Sequence, residues 1–322
     1  MEIASGPARP RAADVASLRP LDRAGWTYLI GCSGATALAL VLSSAPGVVP
    51  WVSGQVLLSL CLLQWFVLLH EAGHRTLFRS RGLNALAGHV ASFWAGIPFA
   101  SWRHVHQRHH VWTGWQDVDA TTAALAPRRR SRVERVAVNV CWRLWIPVFS
   151  VAYRIQNYWH LPRLFGLFRQ RSRRREILAG ASVLAASYAA AIALAGPEAV
   201  LRLVGLGLLL NLVQEDLLLL SQHTHVPMHV AAGRKVKPFV PEDQEVFTRS
   251  LAFPTWFSVG VLVGVDAHEL PHMHPRVPGY LLHRVAYRGP NEGAWWRWVL
   301  AARRIPGEGF LFQNRDQSGL DV

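Results

Sequence analysis

Cysteine is scarce. The 322 residues contain three, Cys32, Cys61 and Cys141, all in apolar surroundings and none in a C-x-x-C pair. That excludes a disulfide framework and a thiolate metal site. Negative charge is scarce too: 20 acidic residues face 34 basic ones, a formal net charge of +14. Only 17% of residues are charged, whereas 51% are hydrophobic. An apolar chain with its arginines gathered into clusters has the composition of an integral membrane protein. The arginines flank apolar spans and no nucleic-acid-binding motif appears, so the excess charge is not read as a nucleic-acid footprint. A G-x-G-x-x-G fingerprint and a haem-attachment motif are also missing, which leaves no redox cofactor site of those kinds. Residues 1–25 are polar and rich in Pro and Arg. They lack the apolar core of a secretory signal and are read as a mobile cytoplasmic tail.

What is present is apolar length. A bilayer core of about 30 Å takes roughly 20 residues of helix. Trp26–Ser44, Val48–Leu69, Ile177–Ala195 and Val200–Leu220 meet that requirement. Turn residues at 43–47 and 196–198 join them as two hairpins. Those connecting loops carry no Lys or Arg, while the dense basic clusters, Arg128–Arg130 and Arg169–Arg175, lie on the other side. The positive-inside tendency makes that side cytoplasmic, both termini included. Asn84–Ala100 is broken by Gly88, Gly96 and Pro98 and is read as an interfacial or cap segment. Val133–Arg154, with Trp142, Arg143 and Trp145, suits a helix lying on the membrane surface. Leu251–Ala267, interrupted by Pro254, is read as a membrane-surface element. The expected fold is all-α: four transmembrane helices under a cytoplasmic helical cap. One domain spans residues 26–290, and 291–322 form a cytoplasmic C-terminal tail.

Histidine is plentiful, and it is clustered. Of 15 histidines, 11 fall in four short stretches: His70 and His74; His104, His106, His109 and His110; His223 and His225; His268, His272 and His274. In H-x-x-H-H, positions i, i+3 and i+4 share one helix face, and imidazoles gathered there are metal ligands. His104 points away from His106 and is read as an outer or surface group. So many imidazoles exceed what one four-coordinate zinc uses; two metal ions are expected. All four stretches adjoin the cytoplasmic side. Glu215 and Asp216 stand within the fourth span, where a carboxylate is costly unless it faces inward. Asp216 precedes His223 by seven residues and stacks on its face, which favours His223 over His225 as the inward group. Asp216 is then an outer-sphere orienting residue, as are Glu71 and His225. The alternative for the carboxylates is pairing with arginine at the interface.

His70-Glu71-Ala-Gly-His74 also reads H-E-x-x-H, the zinc-protease signature, with Glu71 as general base. His268-Glu269-Leu270-Pro271-His272 repeats it, but Pro271 disfavours regular helix there. A protease has no use for the remaining histidines.

Taken together, H70-EAG-H74, H106-QR-HH110, Q222-HTH and H268-ELP-H272-MHP resemble the membrane fatty acid desaturases and their hydroxylase relatives, the methyl-end acyl-lipid desaturases most of all. The resemblance runs from about residue 60 to 280. It implies that His70, His74, His106, His109, His110, His268 and His272 bind two irons, with His223 as a further ligand. The family's third box is H-x-x-H-H. Pro271 takes the place of one histidine here, and His274, held extended before Pro275, is the expected replacement. The implied activity is O2-dependent introduction of a double bond into a lipid acyl chain. A hydroxylase or ketolase on the same scaffold is the near alternative. Electrons must then come from a separate ferredoxin- or cytochrome-type donor, which the basic face suits. The expected location is a bacterial plasma membrane. Trp94, Trp102, Trp112, Trp115 and Trp256 are read chiefly as interfacial anchors.

Overall fold

The computed structural model describes residues 15, 17–285 and 287–319. The tail expected over residues 1–25 lies mostly outside the described residues. The chain is mostly helical. Among the described residues, four helices are long and apolar enough to cross a membrane: α1 (Asp22–Ser44), α2 (Val48–His74), α8 (Arg171–Ala195) and α9 (Pro197–His223). Between α2 and α8 lie α3 (Arg81–Ala95), α4 (Phe99–Trp112), α5 (Arg132–Arg143), α6 (Val148–Arg154) and α7 (Leu161–Leu167). A π-turn at Ile155–Trp159 separates the last two. After α9 come short elements: β1 (Leu251–Ala252), α10 (Thr255–Gly260), α11 (Glu269–Met273), β2 (Gly293–Ala294), α12 (Trp295–Arg304), α13 (Gly307–Phe312) and α14 (Arg315–Ser318). The two strands form one parallel pair, Leu251 opposite Gly293.

Two compact units divide the chain, and each is discontinuous. One comprises residues 21–107 and 147–216. Here α1 and α2 pack as a hairpin, with Ala39, Leu58 and Leu62 in a buried cluster. Gly54 makes the close approach possible: a Cβ there would lie 2.5 Å from Ser43 Oγ and 2.7 Å from the Ala39 carbonyl oxygen. Polar groups inside the spans pair with one another, as they must where water is absent. Trp65 Nε1 donates to Thr36 Oγ1 at 2.9 Å, and Gln55 Nε2 donates to Ser43 Oγ at 2.8 Å. Glu215, read from sequence as costly within a span, receives Arg154 Nε at 3.0 Å and Asn211 Nδ2 at 3.0 Å. Asp216 accepts from the backbone N–H and the hydroxyl of Ser150.

The other unit comprises, among the described residues, 15, 17–20, 108–146, 217–285 and 287–319. In it α5 is amphipathic. It buries Trp142 against Phe310 of α13, with ring centroids 4.6 Å apart, and leaves Val133, Val136 and Val140 exposed. Beyond residue 290, where the sequence is read as a tail, the chain folds into α12–α14, with Trp298 and Phe310 buried. Leu251–Ala267 forms β1 and then α10, with Pro254 just before the first helical residue. Pro271 does not prevent a helix at the fourth histidine stretch. It falls in the first turn of α11, where a backbone N–H has no helical partner to lose.

Candidate metal centre

Two groups of histidines converge, one in each unit. In the first, ligand atoms of His70, His74 and His106 lie within 4.8 Å of one another. α2 runs on past its apolar span by one turn, which presents His70 and His74 on one face, ring centroids 4.5 Å apart. α4 supplies His106, whose Nε2 stands 2.9 Å from that of His74. Nε2 of His70 is buried and has no hydrogen-bond partner among the described residues. Glu71 Oε1 accepts from His70 Nδ1 at 3.2 Å, and Glu71 Oε2 accepts from Thr76 Oγ1 at 2.7 Å. A carboxylate so engaged holds a ring rather than acting as a general base. Trp102 stacks on His106, centroids 4.3 Å apart and 22° from parallel. Gly73 provides the room for it: a Cβ there would meet Trp102 at 2.1 Å.

The second group joins His109, His223, His268 and His272, again within 4.8 Å. Nε2 of His223 lies 3.0 Å from that of His109 and 2.8 Å from that of His268. His272 Nε2 lies 3.2 Å from His268 Nε2. What the other ring nitrogens face decides the meaning of these contacts. His109 Nδ1 donates to Asp119 Oδ2 at 2.6 Å, His272 Nδ1 to Gln244 Oε1 at 3.0 Å, and His223 Nδ1 to the Phe247 carbonyl at 3.3 Å. Each ring therefore carries its proton on Nδ1 and points an Nε2 lone pair inward. Lone pairs gathered at one point repel unless a cation sits among them. Burial, with His110 and His268 close by, holds the His272 imidazole well below its ordinary pKa, so it is neutral at pH 7. Burial alone would raise the Asp119 carboxyl. The adjacent His109 imidazole and its hydrogen bond outweigh that and hold it below the usual carboxylate range. The donor set fits a borderline divalent metal ion in each group, with outer partners that fix the ligand tautomers.

The remaining sequence candidates lie as follows. His110 stacks on His272, centroids 4.3 Å apart, beside the second group. His104 Nε2 faces Glu176 Oε2 at 3.0 Å, in keeping with its place off the triad. His225 turns to the C-terminal helices: its Nδ1 lies 3.2 Å from the Gln313 carbonyl and its Nε2 2.9 Å from Ser318 Oγ. His274 lines a cleft with Val15, Leu18, Arg19 and Met273. Asp216 is bonded to Ser150, while Phe247 supplies the oxygen facing His223 Nδ1. Sequence reasoning missed Asp119, Gln244 and Phe247. Asp119 reaches the site from a turn segment, and Gln244 and Phe247 from a 3-10 helix at Pro241–Phe247, too short to carry a periodicity to read.

The profile of the fatty acid desaturase family matches residues 46–298. Shorter segments resemble curated relatives. The sn-1 oleoyl-lipid 12-desaturase of Picosynechococcus sp. is 39% identical over 66 residues, 20% of this chain and 19% of the relative. That of Synechocystis sp. is 43% identical over 54 residues, 17% and 15% of the respective chains. The acyl-lipid (9+3)-(E)-desaturase of Dimorphotheca sinuata is 31% identical over 83 residues, 26% and 21%. These alignments span about a fifth of each relative's length. The family match covers most of the chain, and the histidine stretches fall within it: this chain belongs to the fatty acid desaturase family.

Proposed function

We propose that the protein is an O2-dependent acyl-lipid desaturase that holds two iron ions, one in each histidine group. The observation that carries this is the convergence of imidazole nitrogens in both groups, within a chain of the desaturase family. Iron held by these imidazoles would supply the dioxygen chemistry needed to remove hydrogen from an unactivated alkyl carbon. The protein's own residues do the rest. Asp119, Gln244 and the Phe247 carbonyl hold three rings in the ligating tautomer. Glu71 does the same for His70. Buried His109, His268 and His272 keep water out. His110, against His272, is a further ligand, and His225 and Asp216 take outer structural roles.

The substrate is a lipid chain already in the membrane. Two hydrogens leave the chain and one O2 ends as two waters, so two electrons and two protons must also be delivered, the protons from water and the electrons from a separate donor of ferredoxin or cytochrome type. The excess of basic residues suits an acidic partner. The charge distribution supports two transmembrane hairpins with basic clusters, both termini and both metal groups on the cytoplasmic face of a bacterial plasma membrane.

The test is metal analysis followed by lipid analysis. Detergent-purified, iron-replete protein is expected to hold close to two irons per chain. Membranes given the chain with a donor system are expected to gain double bonds only in the presence of O2. A single zinc per chain and no new double bonds would overturn the reading.

A further inference from the structure

A cavity of about 190 Å³ opens in the unit that holds the second histidine group, lined by residues the metal site does not use. Its acceptors are the carboxylates of Asp266, Glu269 and Glu292 and the hydroxyls of Ser250 and Ser258. Ser258 already donates to Asp266 at 2.8 Å, and Ser250 accepts the Glu269 backbone N–H at 3.3 Å. Glu269 is the deciding residue. Its side chain is 1% exposed, and its Oε1 has no hydrogen-bond partner among the described residues. Gly289 closes over that carboxyl: a Cβ there would lie 2.3 Å from Oε1. The opposite wall depends on Gly264, at φ +83°, where a Cβ would strike the Gly279 carbonyl at 2.2 Å.

The cations around the cavity are committed or at its rim. Arg249 gives its guanidinium to the carbonyls of Ser221, Thr224 and His225. Arg288 reaches Glu292 at 3.5 Å from a side chain that is 79% exposed. His283 is an exposed lining residue. A buried carboxyl oxygen without a partner, as Oε1 of Glu269 is among the described residues, is costly, and a cavity rich in acceptors calls for a positively charged donor. A chelated metal does not fit. Among the described residues, groups of three or more ligand atoms within 4.8 Å occur only in the two histidine groups. An organic ammonium, which takes separate hydrogen bonds from separate acceptors, does fit.

Elements lining the cavity also carry exposed aromatics. Trp256 of α10 is 69% exposed, and Trp295 and Trp296 follow directly on the strand that pairs with Leu251. Phe253 stacks on Trp295, centroids 5.7 Å apart. Aromatics placed this way belong at the headgroup level of a bilayer. We propose that this cavity receives the primary ammonium group of an aminophospholipid headgroup. The proposal goes beyond the desaturase reading and stands or falls apart from it, because its test reads binding rather than turnover.

Native mass spectrometry of the full chain in detergent, titrated with dioleoyl phosphatidylethanolamine or dioleoyl phosphatidylglycerol, makes that test. The ethanolamine lipid is expected to bind with clear preference, and free ethanolamine to compete with it. Glu292→Gln at the rim and Glu269→Gln in the wall are each expected to weaken this binding about tenfold or more, the loss of one charge-assisted hydrogen bond. Unchanged metal content in Glu292→Gln shows that the variant is folded. Equal binding of both lipids, or unaltered binding by both variants, would overturn the proposal. Displacement by potassium chloride as effectively as by ethanolamine would overturn the ammonium assignment. Binding of free ethanolamine without any lipid preference would overturn the lipid source.

Discussion

An imidazole is a ligand only if its proton is elsewhere, and single atoms of this chain decide where the protons are. Asp119 is buried and accepts a hydrogen bond from the His109 Nδ1–H, with N and O 2.6 Å apart. Asp119→Asn removes the charge and can reverse the ring's tautomer, so metal affinity of the second group is expected to fall about 10- to 100-fold. Competition with a calibrated chelator measures it. His272→Ala is expected to remove metal from the same group, while His274→Ala keeps it, because His274 lines a different cleft. Metal analysis of the two variants separates them. At this scale the sequence was partly legible. Histidines spaced i, i+3 and i+4 declare a shared face by their spacing alone. The oxygens that set their tautomers arrive from a turn and from the short 3-10 helix at Pro241–Phe247, which declare nothing.

At the scale of helices, two features carry predictions. α2 and α4 meet where Gly73 lies under Trp102, and Trp102 stacks on His106. A methyl at residue 73 has no room. Gly73→Ala is expected to displace Trp102 and His106 and to empty the first group while the second keeps its metal, close to halving iron per chain. Within α9, the Glu215 carboxylate is sealed against Arg154 and Asn211. Glu215→Ala leaves a buried guanidinium unpaired, a loss of about 3–5 kcal/mol. Thermal unfolding in detergent tests this, and the double replacement by leucine is expected to recover part of the loss. The four long helices were legible because twenty uncharged apolar residues have few alternatives. The short elements after α9 were not. They are held by side-chain contacts such as Trp142 on Phe310, which no periodicity announces. Pro271 misled for a simple reason: a proline that breaks a helix interior is harmless in its first turn.

For the whole molecule, scarcity of cysteine becomes an instrument. Cys32 and Cys61 are buried and Cys141 is half-buried, so a Cys141→Ser background is nearly silent to thiol reagents. Glu198→Cys, in the first turn of α9 next to the connection from α8, is expected to react with a membrane-impermeant reagent on intact cells. Ser131→Cys, beside the basic run, is expected to react only after the cells are opened. The opposite pattern would reverse the orientation drawn from the arginine distribution.

The allotment of ligands has a consequence of its own. His70, His74 and His106 come from one compact unit, and His109, His223, His268 and His272 from the other. Neither site borrows an imidazole from its neighbour's fold. If each group holds an ion as proposed, loading is expected to be stepwise, with two association constants rather than one shared threshold, and substoichiometric metal is expected to trap a singly metallated protein that spectroscopy can distinguish. Iron starvation would yield a chain that is folded, half-charged and inactive, and ready for rescue without new synthesis.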